Sequence, residues 1–211
     1  MLSYYCERIS GDFFGEPFNA ITNIFFIVSA ILILKLYHDY ISFFSIFFIG
    51  VSSFAFHTYP NGLTGLLDVI AIVVFMLIFI IRIYKKLLGF KLIYSMFIAI
   101  LFVLVCFTSG LVLEDTILGT SSFYFPIILH LLFLIIYFNK NKFSFDNLKY
   151  LYCSTLLFSS SITLRIIDKK ICSIFPTGTH FLWHIFNAIF LYYLIKFFYS
   201  CSDRSSPKKP S

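Results

Sequence analysis

The chain reads as an all-α integral membrane protein, a bundle of seven transmembrane helices with its N-terminus outside and its C-terminus in the cytosol. Three observations predict this. Hydrophobic residues make up 60% of the sequence and charged residues only 12%, too little polar surface to cover a water-soluble domain. Apolar runs of about 20 residues, the length that crosses a hydrocarbon core as a helix, recur along almost the whole chain. The 16 Lys and Arg residues are divided unevenly between the two sides that such spans define, and that asymmetry orients the bundle.

The spans are expected at roughly 17–37, 42–58, 63–84, 90–109, 121–139, 149–167 and 178–199. Continuous runs rich in Phe, Ile and Leu favour helices over the short alternating strands of an outer-membrane barrel. The first 16 residues carry Glu7, Arg8, Asp12 and Glu16 in place of a basic start and an apolar stretch, so the N-terminus is expected to be retained. Span one opens after Glu16-Pro17 and carries Asn19, Thr22 and Asn23 as one polar stripe, which interhelical hydrogen bonding would explain. Span two, the short one, ends at His57 before the turn Tyr59-Pro60-Asn61-Gly62. Asp68 opens span three. His38, in the loop beside Asp39, is expected to be solvated. Spans four and six contain Cys106 and Cys153 as small apolar packers, and span five contains His130 as a packing residue. Arg165 and Asp168, i and i+3 at the end of span six, read as a local ion pair. Span seven opens on His180 and His184. Residues 1–200 form one domain, with no internal repeat, and residues 201–211 a polar, Pro/Ser-rich disordered tail.

Twelve basic residues share one side: Lys35, Arg82, Lys85, Lys86, Lys91, Lys140, Lys142, Lys149, Lys196, Arg204, Lys208 and Lys209. The opposite side holds Arg8, Arg165, Lys169 and Lys170. The net charge of +6 therefore speaks of topology and anionic headgroups, with no nucleic-acid partner expected.

Ionisable groups inside apolar runs are costly unless paired, ligated or facing water. Ser53-x3-His57, Asp68 and His180-x3-His184 all fall at the outer face under that topology. The i, i+4 spacing presents both side chains of each pair on one helical face. Three imidazoles with one open position describe a catalytic zinc site; Asp68 would serve as proton acceptor, and Ser53 would donate to a developing oxyanion or orient a ligand. Paired histidines also leave haem ligation open. Glu7 and Glu16 could hold a hard cation, although a solvated face is the readier explanation of two carboxylates.

Cys6-Glu7-Arg8, Glu16-Pro17-x-Asn19-Ala20-Ile21-Thr22-Asn23, Ser53-x3-His57, Asp68, Asp168-Lys169-Lys170-Ile171-Cys172 and His180-x2-Trp183-His184 resemble, in order and over nearly the whole chain, the motifs of the alkaline ceramidase family. The family sits in a wider group of seven-helix hydrolases and receptors with the progestin-and-adiponectin-receptor and haemolysin-III-like proteins. The N-terminal motifs point to the ceramidase branch and its short bacterial members. The resemblance implies a zinc amidase in a bacterial inner or plasma membrane, splitting ceramide-like lipids into fatty acid and sphingoid base, with His57, His180 and His184 as ligands, Asp68 beside the reacting water and Ser53 as oxyanion donor. Other lipid amides or esters remain open as substrates, as does a receptor-like protein with structural zinc. Eukaryotic members add a calcium site with an Asp and an Asn where this chain has Tyr4 and Ile9; of its ligands Glu7 and Glu16 remain, so calcium binding is doubtful. The topology leaves Cys6 and Cys172 in one oxidising compartment, and the resemblance also places a disulfide between those segments.

Overall fold

The computed structural model describes residues 5–202 except Ile9 and Gly11. Tyr4, Ile9 and residues 203–211 of the expected tail lie outside the described residues. The fold is all-helical, with seven helical segments long and apolar enough to cross a membrane. They are a broken first span made of α1 (Pro17–Ile21) and α2 (Ile24–Tyr37), then α3 (Tyr40–Thr58), α4 (Gly62–Arg82), α5 (Leu92–Val112), α6 (Phe125–Lys140), α7 (Phe145–Ile167) and α8 (His180–Ser202). A π-helical turn, Ile83–Leu87, extends α4, and a 3-10 turn, Asp168–Lys170, ends α7. Each expected span has its helix. The last runs on through Ser202, so Cys201 and Ser202 are buried in α8, where a free tail was expected to begin.

The turns follow from local chemistry. At Tyr37 the chain reverses through His38, whose left-handed φ of 51° closes α2, and Asp39 caps α3 by accepting from the Ser42 amide at 3.1 Å. His38 is exposed, as expected of it. Between α3 and α4, Asn61 and Thr64 form a capping box. Pro17 and Pro126 occupy first-turn positions of α1 and α6, where a missing N–H costs nothing.

Packing is most extensive between α7 and α8, and α8 is the most enclosed span. The core joins Phe26 and Ile33 of α2, Ile46 of α3, Phe75 of α4, Leu134 of α6 and Phe158 of α7 around the Phe190–Phe198 stretch of α8. Small residues let backbones approach, as in other membrane bundles. Ser29 of α2 donates to the Ala188 carbonyl of α8 at 2.9 Å, and a Cβ on Gly50 of α3 would lie 2.9 Å from Ile27. The outward faces stay apolar: Ile93, Phe97, Leu104, Leu111 and Val112 of α5 are exposed, a surface suited to lipid and not to water.

Candidate metal centre

Up-and-down threading brings the C-terminus of α3, the N-terminus of α4 and the N-terminus of α8 to the same end of the bundle, and that is where His57, Asp68 and His180 fall. His57, His180 and His184 are buried, and each offers one ligand nitrogen within 4.8 Å of the other two. Among the described residues they form a three-histidine group that could hold a metal ion.

The surrounding polar groups suit that use. His57 Nδ1 meets the Glu16 carboxylate, and His184 Nδ1 lies 3.0 Å from the Thr22 hydroxyl. Ligand histidines are commonly fixed through the second nitrogen in this way, which leaves Nε2 of each as donor to a metal. His180 Nδ1 is buried without a hydrogen-bond partner, an orphan that a ligated ion would satisfy. A soft-to-borderline nitrogen set of this kind suits zinc better than calcium or magnesium.

Around the cluster opens a cavity of about 940 Å³, lined by Tyr5, Ser53, Asp68, Arg165, His180 and His184 among others. A second, apolar cavity of about 80 Å³ lies beside it between Phe75, Met76, Phe79, Phe158 and Leu194, and the two share Phe26, Ile49, Ile72, Tyr124 and Trp183. The shape is that of a wide chamber of mixed lining with a small greasy slot next to it. His130 lines the slot, stacked 5.8 Å from Tyr84, with Nε2 buried and without a hydrogen-bond partner. It is remote in sequence and in contacts from the histidine cluster.

The N-terminal segment covers the chamber. Cys6 is disulfide-bonded to Cys172, with Cα atoms 5.2 Å apart. Next to the bridge, Tyr5 stacks on His180 with ring centroids 3.6 Å apart. Glu7 accepts from the Phe18 and Asn19 amides at 2.6 and 2.8 Å, capping the first turn of α1. Glu16 takes the Arg8 guanidinium as well as His57. Burial pushes both carboxyls up from their ordinary values, against the backbone donors at Glu7 and the Arg8 charge at Glu16. Both glutamates, read from sequence as candidate calcium ligands, thus have other partners here, and Arg8 supplies the positive charge beside Glu16.

One further reading changes. Asp168 does not pair with Arg165. Its carboxylate accepts from the backbone amides of Cys6, Thr179 and His180 at 3.1, 2.7 and 3.0 Å, which clamps the N-terminal segment to the start of α8, where a helix favours an anion. Arg165 instead turns into the chamber. Thr22 makes the interhelical hydrogen bond expected of the polar stripe, and its partner is His184, which the i, i+3, i+4 spacing did not reveal.

The family profile described as Ceramidase matches residues 4–210. No individual curated protein matches the chain. A match of that extent, over a seven-helix fold with a buried three-histidine group, shows that this chain belongs to the ceramidase family, whose members are hydrolases of lipid amides.

Proposed function

We propose that the protein is a zinc-dependent amidase of N-acyl lipids, cutting ceramide-like substrates into a fatty acid and a sphingoid base. The observation that carries this is the convergence of His57, His180 and His184 on one point, with His180, His184 and Asp68 lining a chamber that has an apolar slot beside it. The three histidines would hold the ion, which supplies Lewis acidity towards the amide carbonyl and the attacking water.

The chain's own groups then have definite tasks. Asp68 takes a proton from water as its oxygen bonds the acyl carbon, and returns it to nitrogen as the C–N bond breaks, so that the base leaves as a neutral amine. Ser53 has one hydroxyl proton; aimed at Asp68 it positions that carboxylate, and it reaches a developing oxyanion only by turning away. Phe26, Phe75, Phe79 and Leu194 receive the acyl chain by hydrophobic burial. Glu16 and Thr22 hold the ligand imidazoles in register.

The test is release of fatty acid from a panel of ceramides and other N-acyl lipids by purified protein, with and without chelator. We expect chelator-sensitive release and about one zinc per chain. Replacing His180 or His184 by Ala removes metal and activity together, whereas Asp68→Asn keeps the metal and lowers turnover by at least about 10²-fold. Full zinc occupancy in the histidine variants defeats the ligand assignment. Undiminished turnover in Asp68→Asn favours a protein in which the metal is structural.

A further inference from the structure

All four basic residues that fall at the metal end of the bundle, Arg8, Arg165, Lys169 and Lys170, line the one chamber. That end is otherwise poor in cations, so their concentration around a cavity calls for a cause other than topology. Arg8 is accounted for by Glu16, with side chains 3% and 0% exposed. Arg165, Lys169 and Lys170 are not: among the described residues no carboxylate pairs with any of them. Of the carboxylates lining the chamber, Asp168 is spent on three backbone amides, which leaves Asp68 against three cations.

Arg165 is the best placed of these. Its guanidinium lies 5.7 Å from the Tyr5 ring centroid, 5.5 Å from that of Tyr124 and 5.2 Å from that of Trp183. One donor reaches the Tyr5 hydroxyl at 3.2 Å, while Nε is buried with no partner. A guanidinium caged by rings on its flanks, with donors unspent, is pre-organised for a planar or tetrahedral oxyanion. Tyr5 touches both groups, stacking on His180 and accepting from Arg165 at its hydroxyl, so an anion held at Arg165 is close to the metal ligands. The apolar slot has no Lys or Arg among its lining residues and suits the acyl side of a substrate instead.

We propose that Arg165, assisted at the mouth by Lys169 and Lys170, binds an acidic group carried on the amine side of the substrate, so that the preferred lipids are N-acyl lipids bearing a phosphate, sulfonate or carboxylate near the scissile amide. This rests on the amidase reading for its substrate but not for its anion site. Trp183 is the single tryptophan of the chain and lies against Arg165, so its fluorescence reports binding without turnover.

Titrating full-length protein in a neutral detergent with hexadecyl phosphate and with hexadecanol should show the phosphate bound at least about tenfold more tightly, a difference of the size one charge-assisted contact produces. Arg165→Gln should reduce that ratio to within about twofold, and Arg165→Lys should restore part of it. Equal affinity of the wild type for the two lipids, or full discrimination in Arg165→Gln, overturns the proposal. If Arg165→Gln does not fold, Lys169→Gln/Lys170→Gln at two exposed positions decides: discrimination must fall and must weaken with added salt, and a ratio unmoved by both overturns it. Palmitate is titrated in parallel; if Arg165 discriminates for palmitate and not for the phosphate, the group bound is the product's carboxylate and the substrate proposal fails. Hydrolysis of N-palmitoyl sphinganine 1-phosphate against its neutral parent completes the test. Phosphate discrimination without hydrolysis of either keeps the anion site and rejects the amidase, whereas a faster neutral substrate rejects the anionic preference alone.

Discussion

Glu16 joins two groups that the sequence keeps apart, the Arg8 guanidinium and the His57 imidazole. A fully buried carboxylate between them orients His57 and raises its basicity as a ligand. Glu16→Gln keeps the volume, loses the charge and leaves Arg8 buried without a counter-ion; we expect zinc affinity to fall about 10–100-fold, read by competition with a chromophoric chelator. Thr22→Val, which removes the hydroxyl at His184, should weaken zinc in the same range without disturbing Arg8. An unchanged affinity in both variants would make these contacts packing only. The histidines themselves were legible in the sequence, because an imidazole in an apolar run needs a reason. Their orienting partners were not. Glu16 sits 41 residues from His57, and Thr22 sits 162 from His184, distances that no helical spacing rule spans. Arg165 was misread for a related reason: the i, i+3 rule assumes a continuous helix, but α7 tightens into a 3-10 turn at Asp168, and the carboxylate finds three backbone donors at the start of α8.

At the level of elements, the segment joining α7 to α8 and the segment preceding α1 act as one clamp. The Cys6–Cys172 bridge spans 166 residues, and in the chain-entropy account closing so long a loop stabilises by several kcal/mol, less whatever residual structure the open chain keeps. The two cysteines were readable as the pair sharing one face, while the Asp168 clamp beside them was not. Gly178 is its tightest point. With φ of 61° it is in the left-handed region, and a Cβ there would collide with the Asp168 carboxylate and come within 2.7 Å of the Cys6 Cβ. Gly178→Ala should therefore cost more than the roughly 1 kcal/mol of a left-handed alanine alone, and should lower Tm and zinc affinity together because Asp168 also holds the His180 amide. Cys6→Ser should lower Tm but spare the fold of the seven spans. A Gly178→Ala protein with wild-type Tm would show that the clamp has slack.

For the molecule as a whole, the two ends differ in what they hold. Of the 16 Lys and Arg residues the metal end carries four and the other end nine, and three more follow in the sequence after Ser202. At that far end Arg82 pairs with the buried Asp39 at 2.6 Å and lies 4.5 Å from the Phe198 ring centroid, joining α4, α8 and the turn before α3. Burial pushes the Asp39 carboxyl up, but Ser42 and Arg82 outweigh it and hold it below its ordinary value, so this carboxylate stays charged at neutral pH. Span number and limits were legible because each span is a property of local composition, and lipid exposure keeps even the outward faces apolar. The interior arrangement was not, because a helix apolar all round gives no stripe by which to orient it. Orientation across the membrane follows from charge alone, and we predict an external N-terminus, a cytosolic C-terminus and a chamber opening towards the outer leaflet. Reporter fusions after Lys86 and after Ser211 should both read cytosol, and one within the 116–121 connection, whose Thr116, Ile117 and Leu118 line the chamber, should read exterior. A membrane-impermeant thiol reagent applied to reduced intact cells should then reach Cys172 beside the same opening. If the C-terminal fusion reads exterior while that after Lys86 still reads cytosol, the count of spans between them is wrong; if every reporter inverts, the chamber faces the cytosol, where reducing conditions work against the Cys6–Cys172 bridge and substrate must come from the inner leaflet.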